Sequence, residues 1–250
     1  MGLHTTDVIV LRRYFFRETS IIVSCLSESH GKLKGLVKGL RAQPNRYRSA
    51  MEPLTINRIV FYDTRSSQLH LISQCELLNA LDALQRDLNT LRLGAFCVEL
   101  VDGVVPLEDP QPAIFYLLRQ TLERLAAGAD LMLLRVHFIT RLLRLAGFQP
   151  QLSECVGCGV MLDSVGFWSV QQGGLLCQGC LHEDSQAEPV GSLLLDGLRE
   201  LSQADQPLPL QASLLPTLSR RLEQFLQWRL ERPLKTLEPA GSRFEAKTSP

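Results

Sequence analysis

Apolar and polar residues change their rhythm along this chain. Over residues 5–80 the apolar positions come in short runs, some of them alternating. The runs are Asp7–Tyr14, Ser20–Leu26, Leu33–Val37, Leu54–Tyr62 and Leu69–Leu78, and turn residues such as His30-Gly31 separate them. Five short strands in so few residues predict a small barrel or a sandwich. From Leu77 the spacing turns helical: Leu77, Leu81, Leu84, Leu88, Leu91 and Ala95 recur at three- and four-residue steps, continuing to Val98 and Val101. Pro106, Pro110 and Pro112 end that pattern. Further helices are expected over Ala113–Ala126 and Asp130–Ala146, with Gly147 as a C-cap, and over Gly191–Gln203 and Ala212–Glu231, with Pro233 ending the last. The fold class this implies is α+β and multidomain. A β-barrel of residues 1–80 is followed by a helical domain of 81–150 and 184–235, a cysteine-rich module of 151–183 is inserted in that domain, and 236–250 is expected to be a disordered tail.

The inserted module holds the most specific motif. Cys155 and Cys158 form one C-x-x-C pair, Cys177 and Cys180 another, with residues 159–176 between them. Each pair can curl into a tight turn with both sulfurs on one side, and two such turns supply four thiolates to a tetrahedral ion. Gly157, Gly159, Gly173, Gly174 and Gly179 lie in or beside the turns. A structural zinc ion is expected at Cys155, Cys158, Cys177 and Cys180. An iron–sulfur group is the alternative, and a redox role does not explain two such pairs. Four thiolates close the coordination shell, so catalysis at the metal is not expected. His182 stands close enough in sequence to substitute as a ligand. Cys25, Cys75 and Cys97 sit in apolar surroundings and are expected in the core. With no disulfide framework, no signal peptide and no apolar run of membrane-spanning length, a cytoplasmic protein is expected.

Net charge is zero, but it is unevenly spread. Residues 1–80 carry eleven Lys/Arg against six Asp/Glu, and residues 81–190 carry seven against thirteen. The basic share concentrates in Lys32, Lys34, Lys38, Arg41, Arg46 and Arg48, with no acid from Gly31 through Met51; Arg12, Arg13 and Arg17 add to it. Nucleic-acid phosphates are the natural partner for such a surface, since each contact releases counterions. Tyr14, Phe15, Phe16 and Tyr47 lie among the charges, where they either stack on bases or alternate into a core. Five strands with a basic loop raise the OB-fold, a barrel much used on nucleic acids. Enzyme signatures are missing: there is no G-x-x-x-x-G-K-[ST], H-E-x-x-H, G-x-S-x-G or G-x-G-x-x-G motif, and the histidines are scattered. Two rival readings use the same parts: a metal-dependent nucleic-acid-modifying enzyme, and an RNA-binding translation factor.

The residues also resemble a known family. Val10-Leu11-Arg12, Glu18, Gly31-Lys32, Val37-Lys38-Gly39 with Arg41, and Ser49 before Glu52-Pro53-Leu54 are similar to the N-terminal barrel of the bacterial RecO DNA repair family. Ala95 with Glu99-Leu100, Phe115-Tyr116-Leu117-Leu118 and Gly147-Phe148-Gln149-Pro150 continue the resemblance. So do Cys155 to Gly159, Phe167, Gly173-Gly174 and Cys177 to Cys180, over about residues 7–235 in one order. The segment Ala42–Tyr47 is longer than the family's usual link, and Arg13-Tyr14-Phe15-Phe16 is bulkier. The resemblance implies a recombination mediator rather than an enzyme. Such proteins bind single- and double-stranded DNA, anneal complementary strands, and with RecR help RecA load onto DNA coated with single-stranded-DNA-binding protein. The implied DNA-binding residues are Arg12, Arg13, Lys32, Lys34, Lys38, Arg41, Arg46 and Arg48. The family grasps the short acidic, apolar-ended tail of the single-stranded-DNA-binding protein, and Arg135, Arg141 and Arg144 are the expected cations for it, since Arg141 and Arg144 share a helix face.

Overall fold

The strand-rich start of the chain closes on itself. The computed structural model describes residues 2–40, 42, 51–63, 68–230, 234 and 236. In it β1 (Leu3–Phe16), β2 (Ser20–Ser27), β3 (Gly31–Val37), β4 (Ile56–Tyr62) and β5 (Leu69–Asn79) form a closed barrel in the order β1-β2-β3-β5-β4. All pairs are antiparallel except β3 with β5. Alternation sets the interior: Val8, Val10, Ile21, Val23, Cys25, Leu33, Val37, Ile59, Phe61, Ile72 and Cys75 make one buried cluster. β1 pairs with β2 and β4 at once, and its register shifts between Val10 and Arg12. A bulge there bends the strand enough to close the barrel. Leu40, inside the basic segment, and Met51, just after it, both sit in the barrel core.

The helix expected from Leu77 starts later. Leu77 and Asn79 still pair with Asn57 and Ile56, so β5 takes the first leucine of the helical pattern. Leu81 then adopts a left-handed conformation (φ 51°), and a 3-10 turn over Asp82–Arg86 buries Leu84. The regular helix α1 spans Leu88–Val104. Its start is set by Asp87, whose carboxylate accepts hydrogen bonds from Thr90 N (2.7 Å) and Thr90 Oγ1 (2.8 Å). Helix α2 (Pro112–Ala126) opens on proline, which needs no partner for a backbone N–H. Helix α3 (Leu131–Leu145) is capped by Asp130, which accepts from Leu133 N at 2.7 Å. It ends where Gly147 turns at φ 75°.

Beyond α3 the chain builds a small four-stranded sheet, β6 (Gln151–Cys155), β7 (Gly166–Ser169), β8 (Gly174–Leu176) and β9 (Glu188–Val190), in the order β6-β8-β7-β9. Two helices follow, α4 (Ser192–Gln203) and α5 (Leu215–Leu230). The chain divides into two compact units, 1–129 with 234–250, and 130–233. Sequence pattern assigns 81–150 and 184–235 to one helical body. In the contacts α1 and α2 go with the barrel, α3, α4 and α5 go with the small sheet, and that sheet reaches past residue 183 to take β9.

In the first unit α1 and α2 are tied to the barrel by polar contacts. Lys32 bridges to Leu107, Glu108 N donates to Lys32 O (3.0 Å), and the Tyr116 hydroxyl donates to Glu28. The chain also returns to this unit at its far end: Leu234 is buried, and Thr236 donates through N and Oγ1 to the Glu99 carboxylate (2.9 and 2.7 Å). In the second unit Trp168 of β7 packs against Phe225 of α5, ring centroids 5.6 Å apart. Arg135 of α3 pairs with Glu223 of α5 at 2.6 Å. Among the described residues no helix is long and apolar enough to cross a membrane.

Candidate metal centre and nucleic-acid surface

β6 runs directly into the first cysteine turn. Cys155 N donates to Val160 O and Gly159 N to Cys155 O, both at 2.8 Å, with Gly159 at φ 73°. The second pair opens a 3-10 turn, where Cys180 N donates to Cys177 O at 3.1 Å. The parallel pairing of β6 with β8 sets Cys155 opposite Leu175 and so brings the two turns together. The four Sγ atoms all lie within 4.8 Å of one another, and those of Cys158 and Cys177 are 3.7 Å apart. Metal–sulfur bonds of about 2.3 Å in a tetrahedron place sulfurs roughly 3.8 Å apart, so the cluster can hold a metal ion.

The backbone around Cys155 favours its thiolate. Burial pushes the Cys155 thiol up, but backbone N–H groups of Cys177, Cys158 and Gly157 outweigh it and bring the group down to about 6. Cys177 N donates to Cys155 Sγ at 3.2 Å. The Cys180 thiol is pushed up, first by its bond to Cys158. A metal bound by the four sulfurs would displace their protons. His182 is not among the clustered ligands; its Nδ1 lies 2.9 Å from Gly179 O in its own turn. Cys25, Cys75 and Cys97 are buried as expected.

One arginine holds the module in place. Arg199 of α4 donates to Leu152 O through Nε (3.0 Å) and Nη2 (2.9 Å), to Asp163 O through Nη1 (2.8 Å), and to Leu162 O. It binds both arms of the loop around the first cysteine turn. Its one local partner is Asp196, 3.8 Å away and three residues earlier on α4; the backbone carbonyls it binds across the module leave no mark in the sequence.

The basic residues are not equivalent. Lys34 and Lys38 are exposed on and just after β3. Arg13 pairs with Glu52 and lies 5.5 Å from the Phe15 ring centroid. Arg12 is held by Asp102 of α1 (Nε to Oδ2, 2.7 Å), and Lys32 reaches the same residue, donating to its backbone O at 2.6 Å. Arg41, Arg46 and Arg48 lie outside the described residues, as does Tyr47. Asp102 was legible only as an acid in an apolar helix, with no sign that two cations and Ser24 meet it.

Strand register arranges the rest of the surface. Arg12, Ser24, Lys34 and Leu69 are successive ladder partners across β1, β2, β3 and β5. Tyr14, Ile22, Leu36 and Leu71 form the next row, which continues through Tyr62 to Leu3. Opposed residues share a face. Since Ile21, Val23, Val37 and Ile72 fill the interior, this row faces outward. Tyr14 is 52% exposed and Phe15 68%, while Phe16 is half-buried. Of the alternatives for these aromatics, Tyr14 and Phe15 take the solvent side.

The three helix arginines have partners inside the second unit. Arg135 pairs with Glu223. Arg141 lies 2.6 Å from Asp205, and Arg144 lies 3.7 Å from the same carboxylate and donates to Ser202 O and Gln203 O at the end of α4.

Comparison with known proteins joins these parts. A family model described as Recombination protein O N terminal matches residues 1–81, and one described as Recombination protein O C terminal matches 85–238. The DNA repair protein RecO of Desulforamulus reducens is 30% identical over 243 residues, covering 95% of this chain and 94% of the relative. That of Koribacter versatilis is 32% identical over 240 residues, covering 94% and 97%. That of Desulforudis audaxviator is 33% identical over 201 residues, covering 80% of each. A barrel, helices and a cysteine cluster, matched along nearly the whole chain, make this protein a member of the RecO family of DNA repair and recombination proteins.

Proposed function

We propose that this chain is a non-catalytic recombination mediator that binds DNA on the outer face of β1, β2 and β3. The observation that carries this is the outward row Tyr14–Ile22–Leu36–Leu71, with exposed Lys34 and Lys38 beside it. A five-stranded Greek-key barrel offers the β2–β3 face to oligonucleotides. Apolar and aromatic side chains there stack bases without reading sequence, and flanking lysines meet phosphates. Arg13 adds to this charge, and Arg41, Arg46 and Arg48, outside the described residues, follow closely in the sequence. Reversing Lys34 and Lys38 together (K34E/K38E) is expected to weaken binding to single-stranded and duplex DNA alike. The dependence of log K on log salt should flatten by about 0.7 per lost contact on single strands and about 0.9 on duplex. An unchanged salt slope removes this face from the DNA site.

Family membership supports the wider role: annealing of complementary strands, and joint action with RecR to load RecA on DNA covered by single-stranded-DNA-binding protein. The setting is the cytoplasm, at the nucleoid. For the acidic tail of the single-stranded-DNA-binding protein, Arg141 and Arg144 are the candidates, with Arg135 nearby. In the free chain these two arginines hold Asp205, a carboxylate whose side chain is 72% exposed; a tail carboxylate would take its place. Reversal of Arg141 and Arg144 is then expected to abolish binding of the isolated tail peptide while naked-DNA binding survives. Intact peptide binding would put the groove elsewhere, and loss of both activities would mean a shared surface or misfolding.

Zinc fits the four-sulfur site best, as a closed structural ion held by Cys155, Cys158, Cys177 and Cys180 with no open position for chemistry. A metal assay finding one zinc for four sulfurs argues against a metal-dependent nucleic-acid-modifying enzyme. Competition between single-stranded DNA and structured RNA separates the mediator from a translation factor.

A further inference from the structure

We propose that the Arg12–Ser24–Lys34 row is a phosphate seat that Asp102 half fills in the free protein, so that Arg12 is shared between α1 and bound DNA. The inference rests on the DNA-binding reading of the barrel face. Donors from three adjacent strands converge on one carboxylate. Arg12 Nε of β1 lies 2.7 Å from Oδ2, Ser24 Oγ of β2 donates to Oδ1 at 3.5 Å, and Lys32 Nζ of β3 lies 3.6 Å from Oδ1. Arginine, serine and lysine are the side chains that commonly take phosphate oxygens, and a carboxylate offers a similar pair of acceptors.

The donors differ in what they can do next. The Lys32 side chain is only 13% exposed and is also bonded to the Asp102 backbone O, so it stays with α1. The Arg12 side chain is 35% exposed; it pairs with Asp102 through Nε and also bonds Tyr14 two residues on in its own strand. Lys34, the other ladder partner of Ser24, is exposed. Neighbouring strands are about 4.8 Å apart, so a guanidinium that rotates away from Asp102 over Ser24 faces Lys34 across one phosphate. Asp102 keeps Lys32, and that pair remains charge-balanced. The carboxylate therefore competes with DNA for one cation and lowers the affinity of the free protein.

The test is a double-mutant cycle on the full chain with a single-stranded oligonucleotide. Asp102→Asn keeps an acceptor for Ser24 and Lys32 but gives up the charge that holds Arg12. Affinity at low salt is expected to rise about fivefold, with the salt slope steeper by about 0.7. The gain should vanish in an Arg12→Ala background. Wild-type affinity and slope in a folded Asp102→Asn protein overturn the proposal, as does a gain that persists without Arg12. If Asp102→Asn melts early, Asp102→Ser carries the same readout. The K34E/K38E variant separates the two layers: if it leaves the slope unchanged the barrel face itself is wrong, whereas a flattened slope with an inert Asp102→Asn sinks the seat alone.

Discussion

Cys155→Ser is expected to strip the bound metal and unfold the module around it while the barrel stays intact. Cys155 is, with Cys180, one of two buried corners of the cluster, and backbone N–H groups bring its thiol down to about 6. The hydroxyl of serine does not ionise there, so the ion loses its best-prepared ligand. Structural zinc supplies folding free energy directly, as much as about 10–16 kcal/mol in isolated fingers. The module has Trp168, Leu175 and Leu176 as core but is built of strands of three to five residues, which hold little alone. A loss of only about 3 kcal/mol would lower the melting point of a unit this size by more than about 10 °C. Two calorimetric transitions, with the lower one shifted and the other unmoved, is the expected record, and metal content by atomic emission should drop to zero. Stoichiometric zinc and wild-type melting in the variant would sink the structural-metal reading.

Gly31→Ala is expected to cost the first unit about 3 kcal/mol or more. Gly31 opens β3 at φ 69°, a conformation that costs other residues roughly 1–3 kcal/mol. A methyl group there would also run into the backbone of Asp109, in the loop between α1 and α2. That loop cannot step aside cheaply, since Glu108 N is bonded to Lys32 O and Leu107 bridges to Lys32. Gly39 is the control: it has φ 74°, but a Cβ there meets nothing within 4 Å. Gly39→Ala should cost only the backbone strain, about 1–2 kcal/mol. Urea denaturation of both variants measures the difference, and equal costs would mean that the loop contact contributes nothing.

The parts of this protein that depend on local pattern were legible in the sequence. Alternation located the five barrel strands because each buries one face, and the paired C-x-x-C turns announced a sulfur cluster because metal geometry leaves few other reasons for them. Two places needed partners that local pattern does not show. Leu77 fits both the fifth strand run and a helical spacing, and ladder partners on β4 decide for the strand. β9 is three residues long and exists only because β7 lies beside it. The same holds at the candidate sites. Arg12 and Lys32 are two cations of one basic third of the chain, and only the tertiary fold brings Asp102 to them. Arg141 and Arg144 share a face as their spacing requires, yet the carboxylate they hold comes from a turn some sixty residues on. Charge is countable from sequence, whereas its neutralisation is a property of packing.

The return of Thr236 to Glu99 of α1, with Leu234 buried beside it in the chain, bears on how the molecule is born. The first unit is interrupted by the whole of the second, so its last contacts come from residues translated after 130–233. At about 5–20 residues per second, the ribosome holds the nascent barrel and its two helices for several seconds before the closing piece emerges. During that interval the Glu99 carboxylate lacks its Thr236 donors, while the inserted unit can complete itself. A stop codon after residue 230 would make that waiting state permanent, with a finished insert and an unsealed barrel unit as the form presented to chaperones and proteases.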